Sequence, residues 1–180
     1  MSDNALPNFR GIYERYKALG NGPRAQIRRV AYPNDLMEIP GFYHLFQNYL
    51  VDTESQVEPW MLRLAFLLPT CGQVTSVDAD TRKPKSKKKQ RKAGFAEALA
   101  EAGMRDARVI QMFRSTAPHD LIALRRMAQQ VEPNVDWAEF GKTLYDWRPE
   151  TKRRLMEDFF LAQTRETTPL NAITETGDIP

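Results

Sequence analysis

The stretch Pro59-Trp60-Met61-Leu62-Arg63-Leu64-Ala65-Phe66-Leu67-Leu68 decides the reading of the fold. A proline suits the first turn of a helix, where its missing N–H would have no intrahelical partner anyway. The residues behind it are apolar nearly all round, as expected of a helix buried on every side. Arg63 breaks the run, and the stretch is far too short to cross a bilayer, which takes about 20 apolar residues. It is read as the central helix of an N-terminal core.

Upstream, Leu6 to Leu19 is predicted to be helical, with Phe9, Ile12, Tyr13 and Tyr16 forming one stripe at spacings of three and four. Gly20-Asn21-Gly22 is read as its stop, and Pro23 opens a short helix containing Gln26 to Val30. There Arg24 and Arg28 share a face, and Arg29 sits about a hundred degrees round from Arg28. After Pro40, the run Phe42-Tyr43, Leu45-Phe46 and Tyr49-Leu50 again has helical period. Downstream of the charged middle, helices are expected over Ala93 to Ala102, over Ala107 to Phe113 capped by Asp106, and after Pro118 with Leu121, Leu124 and Met127. Asp136 is expected to cap a further helix bearing Trp137, Phe140 and Leu144, and Pro149-Glu150 to start the last, with Leu155, Met156, Phe159 and Phe160 inward. β-Branched residues never alternate over a full strand, so no strand is predicted. The fold class is all-α: two packed helical bundles joined by a long basic loop, with about eight or nine helices. The expected boundaries are an N-terminal bundle over 6–71, a flexible lysine- and arginine-rich loop over 72–92, a C-terminal bundle over 93–164 and a flexible tail over 165–180.

Charge is distributed unevenly. Arg82 to Lys92 carries eight basic residues and no acidic one, whereas the rest of the chain has eighteen basic and twenty-three acidic residues. A mildly acidic body therefore carries one strongly cationic segment. Such a block repels itself and is expected to stay mobile unless a polyanion orders it. Lys87, Lys88, Lys89 and Arg91 within it are candidate phosphate contacts. Arg24, Arg28 and Arg29 add basic positions in the N-terminal half, and Arg108, Arg114, Arg125, Arg126 and Lys152-Arg153-Arg154 do so in the other. Together they suit tracking of a phosphate backbone rather than reading of bases.

Signs of catalysis are missing. His44 lies in an aromatic helix, and His119 and Asp120 are adjacent on a helix and so point apart. No local spacing supplies three converging metal ligands. Asp78 and Asp80 flank the lysine block, and Glu157-Asp158 is on the polar side of the last helix, so neither pair is a fixed two-metal site. Cys71 is alone in the sequence, which excludes an internal disulfide, and it has no local partner to activate it. No enzymatic activity, cofactor or metal is expected. The start, Met1-Ser2-Asp3-Asn4, lacks the features of a signal peptide, and a soluble cytoplasmic protein is expected.

Several blocks carry a family resemblance. They are NGPRAQIRRV at 21–30, IPGFYHLF at 39–46, GFAEALA at 94–100, RVIQMFR at 108–114, DLIALRR at 120–126, and VDW at 135–137 followed by LMEDFFLA at 155–162. In this order and spacing the chain resembles the CasB family, the small subunit of the type I-E CRISPR surveillance complex Cascade. The resemblance implies an all-helical, non-enzymatic protein with an N-terminal and a C-terminal bundle. It further implies two copies lying against the backbone subunits that coat the CRISPR RNA, with the large subunit as another partner. A positive surface would hold target and non-target DNA and stabilise the R-loop. Arg28 and Arg29, and then Arg108, Arg114, Arg125 and Arg126, are the positions onto which that role carries over, with one or two of the last four expected instead to be structural arginines paired with helix carboxylates. The lysine block matches no family motif, so its role rests on charge. A free-standing helical protein that binds nucleic acid non-specifically, or a scaffold whose lysine loop is incidental, is the alternative reading.

Overall fold

The computed structural model describes residues 6–51, 56–74 and 94–167; the Arg82–Lys92 block and the residues beyond 167 lie outside them. The first cluster holds α1 (Phe9–Ala18), α2 (Asn21–Arg29), a 3-10 turn (Pro33–Glu38), α3 (Pro40–Phe46) and α4 (Pro59–Leu67). The second holds α5 (Phe95–Glu101), α6 (Asp106–Arg114), α7 (His119–Val131), α8 (Trp137–Tyr145) and α9 (Pro149–Thr167). The fold is all-helical, as the periodicity predicts.

Local chemistry sets the helix ends. Asn8 caps α1, its Oδ1 accepting from the Gly11 N–H at 2.8 Å, and Asp136 caps α8 through the Ala138 N–H at 3.0 Å. Asp106 is not the cap expected of it. It is the first residue of α6, after Arg105, and its Oδ1 accepts from Gln163 of α9 at 2.9 Å. Asn21 and Gly22, read as a stop, form the first turn of α2, with Gly20 as its N-cap.

The two clusters share one apolar core. Trp60 of α4 has Phe9, Phe46, Tyr49 and Tyr145 around it at centroid distances of 5.5 to 6.2 Å, so its ring meets both clusters. Tyr13 of α1 stacks on Trp137 of α8 at 5.5 Å. Such pairs contribute roughly 0.5–1.5 kcal/mol each beyond area burial. Arg63, the one charge in the central helix, donates to the carbonyls of Leu144 at 2.6 Å and Tyr145 at 2.9 Å. These are carbonyls of the last turn of α8, and a cation there also suits the helix dipole.

A correction concerns strands. Gly72–Gln73 (β1) pairs in parallel with Asn134–Val135 (β2), Gly72 opposite Asn134 and Gln73 opposite Val135. Two residues carry no alternation, so the pair is invisible to a period-two search. It ties the end of the first cluster to the loop between α7 and α8, and the Val74 N–H continues it to the Val135 carbonyl at 3.1 Å.

Candidate nucleic-acid interface

The basic residues singled out in the sequence fall into separate places. Arg24 and Arg28, four apart on α2, line one cleft of about 530 Å³ together with Lys17 at the end of α1. The Tyr16 ring, Gln129 of α7 and Asn134 of β2 form other parts of its wall, and Glu132 is the one carboxylate there among the described residues. Arg24 is held by donation to the Asn21 side-chain oxygen at 2.7 Å, and Arg28 is exposed. Burial holds the Tyr16 phenol above its ordinary value, against the downward pull of Arg24, Arg28 and Arg125. Arg29 points elsewhere, into a shallow hollow beside Asp35 and Glu38.

On the second cluster, Arg108 is exposed and donates to the Gln130 side-chain oxygen at 2.6 Å, joining α6 to α7. Arg114, also exposed, shares a groove with Arg153 over a floor that includes Phe113 and Met156. Arg126 is exposed on α7. Lys87, Lys88, Lys89 and Arg91 lie outside the described residues.

Arg125 is placed differently from its neighbour. It is 4% exposed, beneath α2, with its Nη2 donating to the Arg28 backbone carbonyl at 2.5 Å. Its Cζ lies 4.2 Å from the centroid of the Phe66 ring, and its Nη1 has no hydrogen-bond partner among the described residues. Burial pushes this guanidinium down to about 10. A side chain so enclosed does not reach a phosphate on the outer surface, so Arg125 leaves the surface track and becomes a bolt between the clusters. Lys152, another of the basic positions, is also committed: it pairs with the buried Asp120, which in addition accepts from Trp147 Nε1 at 2.8 Å. Its Nζ further donates to the Ser115 carbonyl at 3.1 Å.

Lys17 is the residue that sequence reasoning missed. It belongs to α1, and a helix break separates it from Arg24, so no local spacing relates the two. Tertiary packing alone brings them to one cleft.

The residues weighed for catalysis are dispersed. His44 and His119 are both exposed and stand on different helices. Cys71 is buried, and burial pushes its thiol up to about 12, so it is protonated and inert at neutral pH. Among the described residues no three His, Cys, Asp or Glu side chains converge as metal ligands, and no helix is long and apolar enough to cross a membrane.

The family model of CRISPR-associated protein Cse2 matches residues 23–160, from the first turn of α2 to the middle of α9. The chain belongs to the Cse2 family. The resemblance carried by the sequence blocks is thus the correct one. "CRISPR system Cascade subunit CasB" of Escherichia coli (strain K12) is 31% identical over 157 residues, which are 86% of this chain and 93% of that protein. In a crystal structure of E. coli Cascade bound to a PAM-containing dsDNA target, one chain matches with a TM-score of 0.72 at 27% identity, covering 89% of this chain and 99% of that one. Cse2 proteins are non-catalytic subunits, and that membership is the ground on which this chain is not an enzyme. The Cse2 match includes Arg24, Arg28, Arg108, Arg114 and Arg126, while Lys17 precedes it.

Proposed function

We propose that this chain is the non-catalytic small subunit of a type I-E Cascade effector and that it stabilises target DNA and the R-loop through backbone-directed cations. The observation that supports this best is the chemistry around its arginines. Arg24 and Arg108 are held by amide oxygens of Asn21 and Gln130, which fix the guanidinium without cancelling its charge. Arg28, Arg114 and Arg126 are exposed on the same succession of helices. The described residues spend other cations on carboxylates, Lys142 on Glu139, Arg148 on Asp146 and Lys152 on Asp120. Two oriented guanidinium groups and three exposed ones, none in an ion pair among the described residues, suit phosphate contact, and the lysine block extends the same logic by charge alone.

Sequence specificity in such an effector comes from base pairing between guide RNA and target, so the protein subunit needs no base reading. Its partners in this reading are the backbone and large subunits, a second copy of the small subunit, and the target and non-target strands. Arg29, beside Asp35 and Glu38, contributes least, because those carboxylates offset its field.

The test is R-loop lifetime in the assembled complex. Replacing Arg108, Arg114 and Arg126 by glutamine is expected to shorten the lifetime and to reduce the salt slope of DNA affinity by about one for every phosphate that is no longer neutralised. An R-loop as long-lived as wild type at every salt concentration would defeat the reading.

A further inference from the structure

The cleft at the junction of the two clusters asks for an anion. Three cations line it, from two helices: Lys17 from α1, and Arg24 and Arg28 from α2. Among the described residues Glu132 is its sole carboxylate, so these side chains leave a positive excess. At about 530 Å³ it holds more than one phosphate group with water. Asn134 and Gln129 supply amide N–H donors, and Tyr16 a hydroxyl. A fourth positive charge stands just beneath it, because Arg125 bonds the carbonyl of Arg28. That carbonyl and the Phe66 ring that Arg125 also meets are both neutral. A buried cation without a carboxylate beside it adds its field to the cleft with little screening.

We infer that this cleft is a seat for adjacent phosphate groups of one nucleic-acid strand, with Lys17, Arg24 and Arg28 as its ligands and Arg125 as the residue that positions Arg28. The inference rests on the nucleic-acid reading above and narrows it to one site. A duplex presents a broad convex surface, whereas a concave hollow between helices admits a strand that bends inward. Arg28 has two roles here. Its side chain faces the cleft, and its carbonyl takes the Arg125 donor, so the last turn of α2 is fixed by the same bolt that joins the clusters. The strand therefore meets an Arg24 side chain already held by Asn21 and an Arg28 whose backbone is fixed, which lowers the ordering cost of binding.

The experiment uses the full-length protein and two probes, a labelled oligothymidylate for the strand and inorganic pyrophosphate for free phosphate. The cleft variant Lys17→Gln/Arg24→Gln/Arg28→Gln is compared with a charge-matched control, Arg10→Gln/Lys142→Gln/Arg165→Gln. The cleft variant is expected to bind the oligonucleotide at least about tenfold more weakly at low salt, with a salt slope reduced by about two to three. The control is expected to keep the wild-type slope, and pyrophosphate to compete for the wild-type site but not for the variant. Arg125→Met tests the positioning role through a double-mutant cycle: it is expected to weaken binding in the wild-type background and to weaken it less once Arg28 is glutamine, the remainder being the loss of its own charge. Equal losses in cleft variant and control would reduce the effect to net charge and overturn the seat. Competition by pyrophosphate with no change in oligonucleotide affinity would make it a site for free phosphate, which also overturns it. Weaker binding by the Arg108, Arg114 and Arg126 variant, with none in the cleft variant, would remove the seat and leave the proposed function standing. If the wild-type chain bound no oligonucleotide, isolated or within Cascade, both would fall.

Discussion

Replacing Arg125 by methionine keeps most of the side chain's bulk against Phe66 and removes the donor to the Arg28 carbonyl. The freed carbonyl costs about 1–3 kcal/mol, and relief from burying a charge offsets part of that. Arg125→Met is therefore expected to lose about 1 kcal/mol in urea unfolding, while Arg125→Ala, which also leaves a void, loses about 2–4 kcal/mol. Arg126→Ala is expected to stay within about 0.5 kcal/mol of wild type, as a surface change does. Equal stability for both alanine variants would show that Arg125 is no bolt. The sequence marks both arginines as basic positions on one helix. Charge alone cannot tell them apart, because successive residues sit about a hundred degrees apart on a helix, and the difference is whether Phe66 lies opposite. Lys17 shows the same limit from the other side: nothing near it in the chain announces the cleft that it joins.

At the scale of elements, α1 and α8 approach so closely that one position admits no side chain. A Cβ built on Gly141 would lie 2.2 Å from Cγ of Phe9, well inside contact distance, and Phe9 is itself buried against Trp60 and Tyr145. Gly141→Ala must push the helices apart or turn the Phe9 ring, at a cost of about 1–3 kcal/mol despite alanine's better helix propensity. A denaturation midpoint at or above wild type would contradict that packing. The helices themselves are readable in the sequence, because buried faces repeat at the helical period and Asp136 marks a helix start; the Asn8 cap, which sets the start of α1 at Phe9 rather than Leu6, is not. Their junctions are less so. The β1–β2 pair is two residues long, and Arg63 looks like an interruption of its helix until Leu144 and Tyr145 supply the carbonyls it serves.

At the scale of the molecule, the core, Arg63, Arg125 and the β1–β2 pair together join the two clusters. Fragments 1–74 and 94–180, expressed together as separate chains, are therefore expected to assemble and copurify, with far-ultraviolet circular dichroism close to that of the intact chain. Each fragment alone exposes half of a shared core and is expected to be poorly folded. If each fragment folded alone and the two failed to associate, the junction would be too weak for the role given to it. The place where that cut falls has a consequence for how such a protein can vary. Val74 bonds the Val135 carbonyl, and Gly94 lines the small hollow that Val135 and Asp136 also line, so the chain departs from and returns to the same short strand. For any flexible connection between two near anchors, each doubling of length costs only about 0.6 kcal/mol. On the proposed function, adding or removing lysines and arginines within residues 75–93 is therefore expected to change polyanion affinity while leaving the urea midpoint near that of wild type.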